Sequence, residues 1–143
     1  IAFGRKMCNL KNANSTEIIP DIKNPIIALL PEQKQETDMG GSLRLGANEI
    51  KINQDSLAYK IYNSNKISKR HRHRYEFNTK YREEFLKNGM IFSGESDNGK
   101  RMEILEIPSH KFFFGVQFHP EFNSRPGFPE QAFKSFVTAS SQN

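Results

Sequence analysis

The order of apolar and polar residues divides the chain into short strands and helices. From Ile67 to Phe77 the residues fall into two alternating sets. Ile67, Lys69, His71, His73, Tyr75 and Phe77 lie on one face, and Ser68, Arg70, Arg72, Arg74 and Glu76 on the other. A strand sends successive side chains to opposite sides, so this spacing predicts one strand with the three arginines stacked along a single face. Phe112–Phe118 (FFFGVQF) is almost continuously apolar, the pattern of a strand buried on both faces, as in a parallel sheet. Ile26–Leu30 is an apolar run between Pro25 and Pro31, and Met90–Gly94 and Met102–Ile107 flank the polar turn ESDNGKR; all three read as strands. PEQKQETD, ending at Asp38, reads as a mobile polar loop, and Gly40-Gly41 as a turn into SLRLGANEIKI, a strand pair or one strand bent at Gly46.

Helical spacing occurs elsewhere. Ile1 to Cys8 reads as the tail of a helix, ended by the asparagine-rich loop NLKNANSTE. Leu57, Ala58, Ile61 and Tyr62 share a face behind a cap at Asp55 or Ser56. Asn78 caps TKYREEFLK, with Tyr81, Phe85 and Leu86 inward and Gly89 as the stop. Beyond Pro129, residues Ala132, Phe133, Phe136 and Val137 form the apolar stripe of a final helix. Strands mixed with helices around one buried strand predict an α/β layer fold.

Composition sharpens this. A chain of 143 residues is one domain or part of one. Its 12 Phe and 4 Tyr suffice for a core and argue against wholesale disorder. No apolar run approaches the roughly 18–20 residues that span a bilayer, and the first ten residues lack a signal-peptide pattern, so no membrane partner is expected. The single cysteine, Cys8, excludes an internal disulfide and a Cys-rich zinc site and fits a reducing, cytoplasmic setting. The chain opens on Ile1 rather than Met, which reads as a cut through a larger protein.

The net charge of +5 comes entirely from KISKRHRHR, where Lys66, Lys69, Arg70, Arg72 and Arg74 meet no acid. A compact basic segment points to a local anionic site or a solvated strand face. Nucleic acid is not expected, because the rest of the chain is balanced and carries no zinc-finger or RRM signature.

The sharpest candidate for chemistry is His119-Pro120-Glu121 at the end of the apolar run. Functional groups in open α/β sheets collect at the carboxyl ends of strands. In an extended segment i and i+2 point the same way, so Glu121 is placed to orient the His119 imidazole, as a base for acyl transfer requires. The alternative is a surface histidine beside a turn, with a solvated carboxylate. His71 and His73 have the i, i+2 spacing of two metal ligands, but no third ligand has helpful spacing and the arginines repel a cation. Packing or hydrogen bonding is the expected role, and no metal is assigned. Arg70, Arg72 and Arg74 are able to grip a carboxylate or phosphate. At most one or two of them are expected to touch a ligand, the rest being a solvated face. Glu17, in the polar loop, carries little signal alone.

Four blocks give the chain a family likeness: NANSTE (Asn12–Glu17), MGGSLRLG (Met39–Gly46), RHRHRYEFN (Arg70–Asn78), and GVQFHPEF with SRP (Gly115–Pro126). In these the chain resembles the CTP synthase family, over the later portion of its class I glutamine amidotransferase domain. The HPE block is shared by many class I glutaminases; RHRHRYE and the GG-[TS]-x-RLG pattern are more particular. The resemblance implies a flavodoxin-like α/β fold with a central, mostly parallel sheet flanked by helices. It implies that residues 1–143 are the distal part of a glutaminase domain, with the nucleophile elbow and an amidoligase domain upstream.

The roles it implies are His119 as catalytic histidine and Glu121 as its orienting carboxylate. It also implies Glu17 and Arg74 as the residues that hold L-glutamine, by its α-ammonium and its α-carboxylate. No cofactor is expected in this chain. The parent is expected to use ATP and Mg, with GTP as activator, on its N-terminal amidoligase domain, and to form a homotetramer. The family's Gly-Cys-Leu-Gly elbow is missing, and Cys8, without flanking glycines, does not replace it. The chain alone is therefore expected to be inactive. Ser42 stands where Thr is common, and Ala2, Gly4 and Lys6 depart from the usual helix. Two alternatives stay open: a catalytically incomplete module that binds glutamine or regulates a partner, and a different class I glutaminase.

Overall fold

The computed structural model describes residues 1–29 and 43–141. The expected loop ending at Asp38, the Gly40-Gly41 turn and Ser42 lie outside the described residues. Strands β1 (Asn14–Ser15), β2 (Pro25–Ala28) and β5 (Glu76–Phe77) form a small sheet in the order β1-β2-β5. Strands β3 (Arg44–Ile52), β4 (Lys66–His73), β6 (Ile91–Ser96), β7 (Arg101–Glu106) and β8 (Phe114–Val116) form a larger one in the order β4-β3-β6-β7-β8. The helices are α1 (Ala2–Lys6), α2 (Leu57–Tyr62), α3 (Arg82–Lys87) and α4 (Gln131–Ser141). The fold is α/β, as expected.

The pairing differs from a mostly parallel sheet. β1 and β2 are parallel, whereas every strand pair of the larger sheet is antiparallel. Phe112–Phe118 is not a strand buried on both faces. It forms a short edge strand, β8, antiparallel to β7 and only half-buried. Its aromatic rings are spent on local packing instead: Phe114 lies 6.4 Å from Tyr62, and Phe112 lies 5.8 Å from Phe136. Continuous hydrophobicity here reflects an aromatic cluster beside α2 and α4, not a central position.

The alternation from Ile67 to Phe77 also breaks. β4 ends at His73, the chain bends at Arg74, and β5 joins the other sheet, with Ile27 opposite Phe77 and Ala28 opposite Glu76. Arg70 and Arg72 face solvent as predicted, but Arg74 leaves their face and Glu76 turns inward, only 1% exposed. Gly46, at φ +83°, sits within one continuous β3, the bent-strand alternative.

Two apolar clusters hold these layers. Cys8, Ile26, Phe77, Phe85, Met90 and Met102 pack between α1, α3 and the sheets. Ile50, Ile52, Ala58, Tyr62, Ile104 and Phe118 pack beneath α2. The Ser56 hydroxyl accepts from the Tyr59 N–H and starts α2, the second of the two cap candidates. Gly4 permits the close approach of α1, since a Cβ there would lie 2.2 Å from Ile26 Cδ1. In α4 the stripe is mostly uncovered: Ala132 is buried, but Phe133, Phe136 and Val137 are 43%, 56% and 65% exposed.

Candidate functional site

His119 follows β8 and is fixed to the sheet by its own N–H, which donates to the Arg70 carbonyl on β4 at 2.9 Å. Pro120 then starts a 3-10 turn, Pro120–Asn123, as proline's preset φ favours. The turn, rather than an extended strand, brings Glu121 beside the imidazole. His119 Nδ1 meets Glu121 Oε1 at 2.6 Å, and the ring stacks on Phe122 at 5.2 Å. A carboxylate only accepts, so Nδ1 carries the proton and Nε2 keeps its lone pair. The imidazole is about one-third exposed, so Nε2 is accessible to a reactant. The hydrogen bond from His119 holds the Glu121 carboxyl below the usual range. This geometry suits a base with a fixed tautomer.

Glu17 and Arg74 reach the same end of the small sheet by topology. Glu17 follows the carboxyl end of β1, where its N–H donates to the Ser15 hydroxyl at 3.1 Å. β2 runs parallel to β1, and β5 runs antiparallel to β2. Arg74, just before β5, therefore lies at the carboxyl end of β1 and β2. Glu17 is exposed and Arg74 half-buried. An anion and a cation at one sheet end match the two charges of a zwitterion.

Behind Arg74 lies a buried polar cluster that the sequence reading did not anticipate. Arg44 Nη1 meets Glu103 Oε1 at 2.5 Å, and Arg44 Nη2 donates to the Ser96 hydroxyl at 3.1 Å. The Ser96 hydroxyl also donates to Glu103. Arg101 binds both Glu76 and Asp97. His71 Nδ1 lies 2.9 Å from His73 Nε2, and His73 Nδ1 lies 3.2 Å from the Tyr75 carbonyl. Burial first, then the Arg44 cation, lowers the His71 pKa to about 3 and lowers that of His73 as well. Burial raises the Glu76 pKa, against the pull of Arg101 and Arg44. The histidines thus hydrogen bond, one of the two roles expected of them. The signal for the cluster was Glu103 within the apolar run MEILE, since a charge there requires a buried partner.

Lys69, on the inward face of β4, is 2.6 Å from Glu130, which also accepts from the Tyr62 hydroxyl at 3.0 Å. Cys8 is 6% exposed within the first apolar cluster, with Sγ 3.8 Å from the Glu84 carbonyl. Burial first, and then Glu84, raises its pKa, the opposite of an activated thiolate. Among the described residues no group of three or more His, Cys, Asp or Glu is placed to hold a metal ion, and no helix is long and apolar enough to cross a membrane.

Residues 1–139 match the family model described as glutamine amidotransferase class-I. The chain is 48% identical over 142 residues to a CTP synthase of Staphylococcus carnosus, covering 99% of this chain and 26% of that protein. It is 50% identical over 139 residues to a CTP synthase of Archaeoglobus fulgidus, covering 97% of this chain and 26% of that protein. The chain thus spans about a quarter of the length of the curated relatives it matches. A solved structure, the Trypanosoma brucei CTPS glutaminase domain with bound acivicin, superposes with a TM-score of 0.92 at 36% identity, covering 100% of this chain and 56% of that one.

Proposed function

The chain belongs to the class-I glutamine amidotransferase family, and on that premise we propose that it is the distal part of the glutamine-hydrolysing domain of a CTP synthase. The observation that carries the reading is the 2.6 Å contact between His119 Nδ1 and Glu121, which leaves Nε2 accessible. In this reading Glu17 takes the α-ammonium of glutamine and Arg74 its α-carboxylate. His119 Nε2 takes the proton of a cysteine thiol on an elbow outside these residues, and the thiolate attacks the side-chain amide carbon. Protonated His119 Nε2 gives its proton to the leaving nitrogen, and ammonia departs. The neutral ring then takes a proton from the water that opens the thioester.

The ammonia passes to an N-terminal amidoligase domain of the same protein, where ATP and Mg activate UTP for conversion to CTP, with GTP as activator. The parent is a cytoplasmic homotetramer in this reading. The roughly 50% identity to CTP synthases argues for this activity over another class I glutaminase. The second reading is a glutamine-binding module without its own chemistry, for which the buried Cys8 likewise offers no nucleophile.

The test is ammonia release from glutamine by the purified chain. No turnover is expected, with Cys8→Ser indistinguishable from the parent sequence. Activity is expected once a segment carrying the Gly-Cys-Leu-Gly elbow is joined upstream. Turnover by the chain that Cys8→Ser abolishes would overturn the assignment, and continued silence with the elbow present would favour the binding module.

A further inference from the structure

Resting on the reading of Arg74 as a glutamine ligand, we propose that His71 and His73 are positioning residues, a neutral two-imidazole strut that fixes the bend presenting the Arg74 guanidinium. The bend joins β4 of the larger sheet to β5 of the smaller one, with Arg74 and Tyr75 between them. The Tyr75 carbonyl only accepts, so His73 Nδ1, 3.2 Å away, carries the proton. In a neutral ring Nε2 then keeps its lone pair and accepts from His71 Nδ1–H at 2.9 Å. The chain of donors runs one way, from His71 through His73 to the backbone carbonyl beside Arg74.

Its surroundings favour this state. His71 is 2% exposed, and its ring lies edge-on to Phe118 at 6.3 Å. Arg44 of the paired strand β3 opposes a positive charge on either imidazole, as does the nearby His119 when protonated, and Arg101 of β7 opposes one on His71. Glu103 Oε2 and Glu76 Oε1 each stand 3.9 Å from an imidazole nitrogen, beyond hydrogen-bond distance, and are held by Arg44 and Arg101. The two arginines therefore take up the carboxylates and leave the imidazoles free to serve the bend.

The experiment is steady-state kinetics of the whole ligase that contains this chain, with glutamine and with ammonia as nitrogen donor. His73→Leu keeps the bulk and removes the donor. His73→Asn restores an N–H near the position of Nδ1. With the hydrogen bonds to the Tyr75 carbonyl and from His71 both lost, His73→Leu is expected to raise the glutamine KM by about tenfold. Its ammonia-dependent rate should stay near that of the parent, and His73→Asn should recover most of the glutamine KM. Arg74→Ala, run alongside, should raise the glutamine KM further. If Arg74→Ala raises KM while both His73 variants leave it unchanged, the strut is refuted and the Arg74 reading stands. Equal loss of both activities in His73→Leu without rescue by Asn would also refute it, as mere loss of folding. An unchanged KM in Arg74→Ala refutes the reading of Arg74 and the strut with it.

Discussion

Two histidine-carboxylate regions lie close together on this molecule and behave in opposite ways. His119 is about one-third exposed, bound through Nδ1 to the exposed Glu121, with Nε2 open. His71 and His73 sit among the buried Glu76 and Glu103 and the largely covered side chains of Arg44 and Arg101, yet hydrogen bond to each other and to a backbone carbonyl. In the first region one carboxylate and access to solvent make an imidazole able to exchange a proton. In the second the arginines claim the carboxylates, and desolvation keeps the rings neutral. The residue types match; burial and the count of nearby cations decide which imidazole stays open to solvent and which is kept neutral within the fold.

The comparison is most severely tested by breaking the buried ion pair. Glu103→Ala leaves Arg44 with only Glu76, 3.9 Å away, as counter-charge in a dry site, and breaking a buried ion pair typically costs about 3–5 kcal/mol. Urea unfolding of the chain should show a large drop in midpoint. A midpoint close to that of the parent would mean that the cluster is wetter and looser than its geometry shows.

A smaller effect is expected from acid. His71 and His73 have folded pKa values below the usual 6.5, to about 3 for His71. Between those limits the unfolded chain binds more protons than the folded one, so stability is full above about pH 6.5 and is lost as the pH falls. Each imidazole contributes up to about 1.4 kcal/mol per pH unit. Glu76, with its pKa raised above 4.5, works in the other sense, its contribution being lost as pH rises. Two imidazoles against one carboxyl give a net fall in stability towards acid, measurable as the urea midpoint between pH 7 and pH 5. A flat profile would contradict neutral burial of the pair. The least change is expected at the other region: Glu121→Ala, on an exposed turn, should leave the urea midpoint at the parent value.

The His119 region was legible in the sequence because its parts are adjacent: a histidine, a turn-forming proline and a carboxylate within three residues. Even so, a 3-10 turn rather than an extended strand brings the pair together. The buried region was not legible, because its members come from five strands and meet only after the sheets are assembled. Glu76 shows why. Alternation placed it on the arginine face, but the bend at Arg74 resets the period and turns it inward to Arg101. The apolar run at Phe112–Phe118 misled in a different way, since an aromatic cluster at a sheet edge has the same composition as a central strand. Caps, by contrast, are local chemistry: Ser56 and Asn78 start their turns where the residues place them.

The account rests on His119 as the proton carrier of glutamine hydrolysis, and one measurement addresses that directly. CTP formation by the whole ligase is compared for the parent and His119→Ala, with glutamine and then with ammonia as nitrogen donor. The glutamine-dependent rate is expected to fall by about 10²–10⁴-fold, the range for loss of general acid-base catalysis, while the ammonia-dependent rate stays at the parent level. An unchanged glutamine-dependent rate, or an equal loss with both donors, would contradict the account.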